Sequence, residues 1–144
     1  IVMSIIPFAA LGSILGHWVT GFHITILSLV ALLGLAGIVI NDSIIMVSTI
    51  DEKIRKGVDI INAVIDGACE RFRAVILTSL TTISGLIPLL FENSTQAQFL
   101  KPMAITIVFG LLATTLLVLL LVPALILVQN DFFILYNKIR NKLR

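Results

Sequence analysis

Four long apolar runs, almost free of charge, dominate this sequence: about Ile1 to Thr20, Ile24 to Ile50, Ala74 to Phe91 and Pro102 to Val128. At a rise of 1.5 Å per residue, roughly 20 apolar residues in a helix cross a hydrocarbon core about 30 Å thick. The 144 residues are 58% hydrophobic and 12% charged, with a mean hydropathy of +1.12. A soluble domain carries about 25% charge, so too little polar surface is present here to cover a water-soluble globule. The sequence therefore predicts an all-α integral membrane protein whose solvent is the lipid bilayer.

The links between the runs are short. Gly21-Phe22-His23 joins the first two and carries no Lys or Arg. Asp51-Glu52-Lys53-Ile54-Arg55-Lys56-Gly57 forms a charged exit from the second run, ending in a glycine suited to a helix C-cap. In residues 58–73, Val58, Ile61, Ile65, Ala68 and Phe72 recur at helical spacing against Asp59, Asn62, Asp66, Glu70 and Arg73. That pattern predicts an amphipathic helix lying along the membrane surface or packed on the bundle. Glu92 to Gln98 reads as a polar loop, and residues 130–144 as an aromatic anchor (Phe132, Phe133, Tyr136) followed by a basic cytoplasmic tail. The expected architecture is a single transmembrane domain, residues 1–144: four spans plus one amphipathic helix.

Lys and Arg give an orientation. Lys53, Arg55, Lys56, Arg71 and Arg73 lie between the second and third spans, and Lys138, Arg140, Lys142 and Arg144 in the tail, leaving only Lys101 on the other side. The positive-inside rule then puts both termini in the cytoplasm. The chain opens on Ile1-Val2-Met3, inside an apolar run and without a signal peptide, which points to a piece of a longer protein. Cys69, the single cysteine, reads as a small apolar filler.

One residue sits badly in this solvent. Asp42 stands nine residues before Asp51, roughly 13 Å into the membrane at helical rise and so near the midplane. A charge at the centre of a span costs at least about 2.5–3.5 kcal/mol. Such a carboxyl must be protonated, paired or turned to a wet cavity. Burial and a nearby cation pull its proton affinity in opposite directions, so it can exchange protons near neutral pH, as proton-coupled transport requires. The alternative is that Asp42 only hydrogen-bonds a neighbouring helix. Asn41 and Ser43 flank it.

The third span offers Thr78, Ser79, Thr81, Thr82 and Ser84. Counted inward from Arg73, Thr82 matches the depth of Asp42, with Thr78 one turn nearer the cytoplasm. These hydroxyls either meet the second span or bond their own i−4 carbonyls. Arg71 and Arg73 read as headgroup anchors able to snorkel. Gly12-Ser13 with Gly16, and Gly34 with Gly37, permit close helix approach. His17, Trp18 and His23 fall at the non-cytoplasmic interface, where two histidines without a third ligand do not make a metal site. Asn93-Ser94-Thr95 matches a glycosylation acceptor, a weak pattern. No zinc-protease, nucleophile-elbow, P-loop or cysteine-cluster signature is present, so neither an enzyme nor a cofactor is expected. The basic tail is too short to argue for nucleic acid.

Four stretches taken together resemble the resistance-nodulation-division (RND) exporters, of hydrophobe/amphiphile type: Gly37–Val47, Glu70–Leu80, Gln96–Ala104 and Leu121–Leu125. Their order and spacing are similar to the last four transmembrane helices of those permeases. The resemblance implies a twelve-helix transporter of the bacterial inner membrane, driven by the proton motive force, with large periplasmic regions. It also implies a homotrimer working with a periplasmic adaptor and an outer-membrane channel. In multidrug members a lysine of the tenth span works with paired aspartates of the fourth, plus an arginine and a threonine. Those positions fall here on Asn41, Arg71 and Thr78, and Asp42 stands where an asparagine is usual. The expected proton relay is therefore Asp42, Asn41, Thr78 and Arg71, with Thr82 and Ser43 as a supporting polar face. Asn41 cannot form the lysine's ion pair, which separates this chain from the multidrug pattern. The competing expectation is a non-transporting helical subunit in which Asp42 serves packing alone.

Overall fold

The computed structural model describes residues 2–142. One 3₁₀ turn, Val2–Ile5, leads into four α-helices: α1 (Ile6–Thr20), α2 (Ile26–Arg55), α3 (Ile60–Phe91) and α4 (Thr95–Lys142). Each is long and apolar enough to cross a membrane, the first counted from Met3. No strand occurs among the described residues. Links of three to five residues force sequential helices to run antiparallel.

Local chemistry marks the ends. Pro7 sits in the first turn of α1, where its missing N–H costs nothing, and Gly21 closes that helix in the left-handed region at φ 71°. Thr25 and Ser28 form a reciprocal capping box at the start of α2. At its other end the amide of Gly57 donates to the Ile54 carbonyl and that of Val58 to the Lys53 carbonyl. Gly57 makes this Schellman closure possible with φ 85°, a conformation that penalises any side chain.

Two expected boundaries are absent. The amphipathic segment 58–73 is not a separate helix; it is the first half of α3, continuous with the third span. Nothing between Cys69 and Leu80 (no glycine, proline or capping signal) can stop the helix, so only its surroundings change along its length. The polar link is shorter than Glu92–Gln98, because the Ser94 hydroxyl accepts from the Ala97 amide and starts α4 there. At 48 residues, α4 is roughly 72 Å long. It outruns the bilayer and carries exposed Phe132, Phe133 and Tyr136 on its extension. Leu143 and Arg144, the end of the basic tail, lie outside the described residues.

α4 is the axis of the bundle. It packs on α1, α2 and α3, whereas α1 and α3 do not touch. Leu35, Val39, Met46 and Ile50 recur at helical spacing along α2 and bury against Leu111, Val118 and Val122 of α4. In lipid such a core holds by close packing and hydrogen bonds rather than by release of water. The α1–α4 seam is the tightest: a Cβ on Gly12 would stand 2.5 Å from the Ala113 Cβ and 3.2 Å from the Phe109 carbonyl, and one on Gly16 would enter the Phe109 ring. Near the charged end α2 meets α3, with Gly67 against Ile50 and Lys53 paired with Glu70 at 3.1 Å.

Candidate functional site

α2 presents two adjacent stripes. Leu35, Val39, Ser43, Met46 and Ile50 are buried, while the flanking Ile38, Asp42, Ile45 and Thr49 are half-buried. Asp42 thus lies at the edge of the core rather than on a lipid-facing ridge. Its neighbours diverge, as a 100° step per residue requires. Asn41 is exposed, whereas Ser43 is fully buried and donates to the Val39 carbonyl at 2.7 Å. Ser43 is satisfied within its own helix.

On α3 the hydroxyls expected to reach Asp42 bond their own helix. Thr78 donates to the Ala74 carbonyl and Thr82 to the Thr78 carbonyl, each at 2.9 Å, with Thr78 exposed and Thr82 half-buried. The hydroxyl of α3 that meets another helix is Ser79, buried and 2.6 Å from Thr115 of α4. One residue's rotation separates it from Thr78. Thr114-Thr115 in an otherwise apolar run was the available sequence signal for this bond.

Arg71 is the group that approaches α2. Its Nε–H donates to the Thr49 hydroxyl at 3.3 Å and that hydroxyl donates in turn to the Ile45 carbonyl at 2.8 Å, two turns along α2 from Asp42. Gly67, one turn before Arg71, lets the helices close on Ile50 and so brings Arg71 alongside Thr49. With the helices antiparallel, seven residues along each from this pair bring Thr78 level with Asp42. The register sets Thr78, and not Thr82, at that height.

A Cβ added to Gly34 or Gly37 on α2, or to Gly85 on α3, meets nothing within 4 Å, so these helix faces are uncovered within the chain. Asn41 and Thr78 are exposed, and Asp42 and Thr82 half-buried. His17, three residues from the end of α1, is buried between α1 and α4, its Nδ1–H donating to the Phe22 carbonyl at 3.2 Å and its Nε2 lying 2.9 Å from the Thr106 hydroxyl. Among the described residues no group of three His, Cys, Asp or Glu side chains is placed to hold a metal ion.

Four long apolar helices, one carboxyl within a span and an arginine of the next helix two turns away along α2 fit a helical segment of an RND efflux permease. Residues 1–130 match the AcrB/AcrD/AcrF family, and the chain belongs to it. It is 33% identical over 125 residues to the cobalt-zinc-cadmium resistance protein CzcA of Cupriavidus metallidurans, covering 87% of this chain and 12% of that protein. It is 32% identical over 120 residues to the swarming motility protein SwrC of Bacillus subtilis, covering 82% and 11%. Against the multidrug resistance protein MdtC of Serratia proteamaculans the identity is 30% over 127 residues, covering 88% and 12%. The crystal structure of a heavy metal efflux pump superposes with a TM-score of 0.77 at 29% identity, covering 86% of this chain and 13% of that one. The chain thus spans about an eighth of the length of these relatives.

Proposed function

We propose that this chain forms part of a proton-coupled exporter of small solutes, and that Asp42 is a group through which protons pass. What supports this is the position of Asp42: a carboxyl within a membrane-spanning helix, half-buried at the edge of the packed core, with an arginine of the next helix held two turns away at Thr49. A carboxyl needed only to hold these four helices together would be bonded within them, as Ser79 is to Thr115. Asp42 makes no such bond among the described residues, which leaves it for partners elsewhere in a longer protein. In the relay, Asp42 takes up and releases the proton, and Arg71 limits how tightly the proton is held. Asn41 and Thr78 line the route at the same level, with Thr82 and Ser43 completing the polar face. Alternating access needs the other half of the transporter to move against this one.

The charge distribution supports a bacterial inner-membrane location with both ends of the chain cytoplasmic. Membership of the family supports a trimer that works with an adaptor and an outer channel. In the full-length protein, Asp42→Asn should leave cells as sensitive to Zn²⁺ and to ethidium as cells lacking the transporter, at an unchanged membrane level of the protein. Resistance retained by that variant contradicts the reading and leaves Asp42 a packing residue.

A further inference from the structure

We propose that Thr49 is a positioning residue for the proton relay: its hydroxyl holds Arg71 by Nε and keeps the guanidinium within electrostatic reach of Asp42. The inference rests on the relay reading above, and it concerns a residue that the family's lysine-arginine-threonine pattern does not include.

Three observations carry it. Asp42 and Thr49 are seven residues apart on α2, two turns along one face and roughly 10 Å in height. The Arg71 Nε–H reaches the Thr49 hydroxyl at 3.3 Å across the α2–α3 gap. That hydroxyl is itself fixed, because its one proton goes to the Ile45 carbonyl at 2.8 Å, which leaves a lone pair aimed out for the arginine. A hydroxyl anchored this way accepts at a defined place, whereas an arginine without it has several rotamers and can extend to the headgroups.

Arg71 has no competing tether among the described residues. The ion pairs there are Lys53–Glu70, Arg55–Asp51 and Lys56–Glu52, and Arg71 belongs to none of them. Other charges that could act on Asp42 are few. On α3, Glu70 is held by Lys53 and Arg73 is exposed. On α2, Asp51 is held by Arg55. α4 has no charged residue between Lys101 and Asp131, and the titratable group of α1, His17, is bonded to Phe22 and Thr106. Where Arg71 rests therefore decides much of the field at Asp42.

The test is an infrared pH titration of the Asp42 carboxyl in the full-length protein in lipid, its band identified by disappearance in Asp42→Asn. Thr49→Val, with Thr49→Ala as a second variant in case valine packs badly, should move the midpoint to higher pH, because a cation drawn away lets the carboxyl keep its proton. Arg71→Ala should move it further in the same direction, and Thr49→Ser should restore the wild-type midpoint. A purely structural role for Thr49 would lower thermal stability without shifting the titration. If Arg71→Ala shifts the midpoint while both Thr49 variants titrate like wild type, the tether is overturned and the Arg71–Asp42 coupling stands. If Arg71→Ala itself shifts nothing, both fall, whereas transport by Asp42→Asn would sink the relay reading and with it the role of Thr49 in a relay, leaving only its tethering of Arg71.

Discussion

The two sides of α4 are built on opposite plans. Toward α1 the bundle is sealed: Gly12 and Gly16 press against Ala113 and Phe109, and His17 is buried on Thr106. Toward α2 and α3 it is looser: Gly67 is tight against Ile50, but a Cβ on Gly34, Gly37 or Gly85 meets nothing within 4 Å, and Asp42 is half-buried. Both sides carry small residues and a titratable side chain, so neither feature by itself marks function. The difference lies in whether the polar group has its partners within these four helices. His17 has two, and it serves to fasten α1 and the following link to α4. Asp42 has no such closure among the described residues, a difference that its proposed role in carrying protons would explain.

This contrast can be broken by substitution. The largest effect should come from Gly12→Leu. A side chain there meets the Phe109 carbonyl and Ala113, and overpacking of this kind costs about 3 kcal/mol or more. A sharp fall in thermal unfolding temperature and in membrane level checks it. His17→Ala comes next: it removes two hydrogen bonds and a buried side chain from the α1–α4 seam, a cost of about 1–3 kcal/mol, read as thermal destabilisation with proton coupling retained. Ser79→Ala, which breaks the bond to Thr115, should cost about 1 kcal/mol in the same measurement. Smallest of all is Gly37→Ala. Nothing lies near the new Cβ and alanine favours helix, so stability should not fall. If the rest of the transporter closes on this face, transport should fall in that variant while stability holds. Destabilisation by Gly37→Ala matching that of Gly12→Leu would erase the distinction between the two sides.

The sequence reached some of this and not the rest, for physical reasons. Four helices follow from apolar runs that no other solvent would accommodate, and Gly57 was recognisable as a helix stop because few residues adopt φ 85° cheaply. The continuity of α3 was not legible from periodicity. A helix can pass from an amphipathic to an apolar stretch without any break in its backbone, and a change of hydropathy imitates a boundary. Asp42 stood out as a candidate because charge in a span is costly wherever it occurs, whereas Arg71 read as a headgroup anchor and joined the candidates only through the family resemblance. The contacts of the site were not legible. Whether Thr78 or Ser79 meets a neighbour depends on one residue's rotation of α3, and Thr49 became visible only when Gly67 set the distance between α2 and α3. The partners of His17 were likewise invisible, because Thr106 lies 89 residues further along the chain and comes beside it only in the folded bundle.

The most direct test of Asp42 as the proton-carrying group is proton movement in proteoliposomes of the full-length protein, followed with a pH-sensitive dye while Zn²⁺ or ethidium is exported. Asp42→Asn should abolish the proton movement, and His17→Ala, on the sealed side, should preserve it. Proton movement by Asp42→Asn at the wild-type rate would contradict the account.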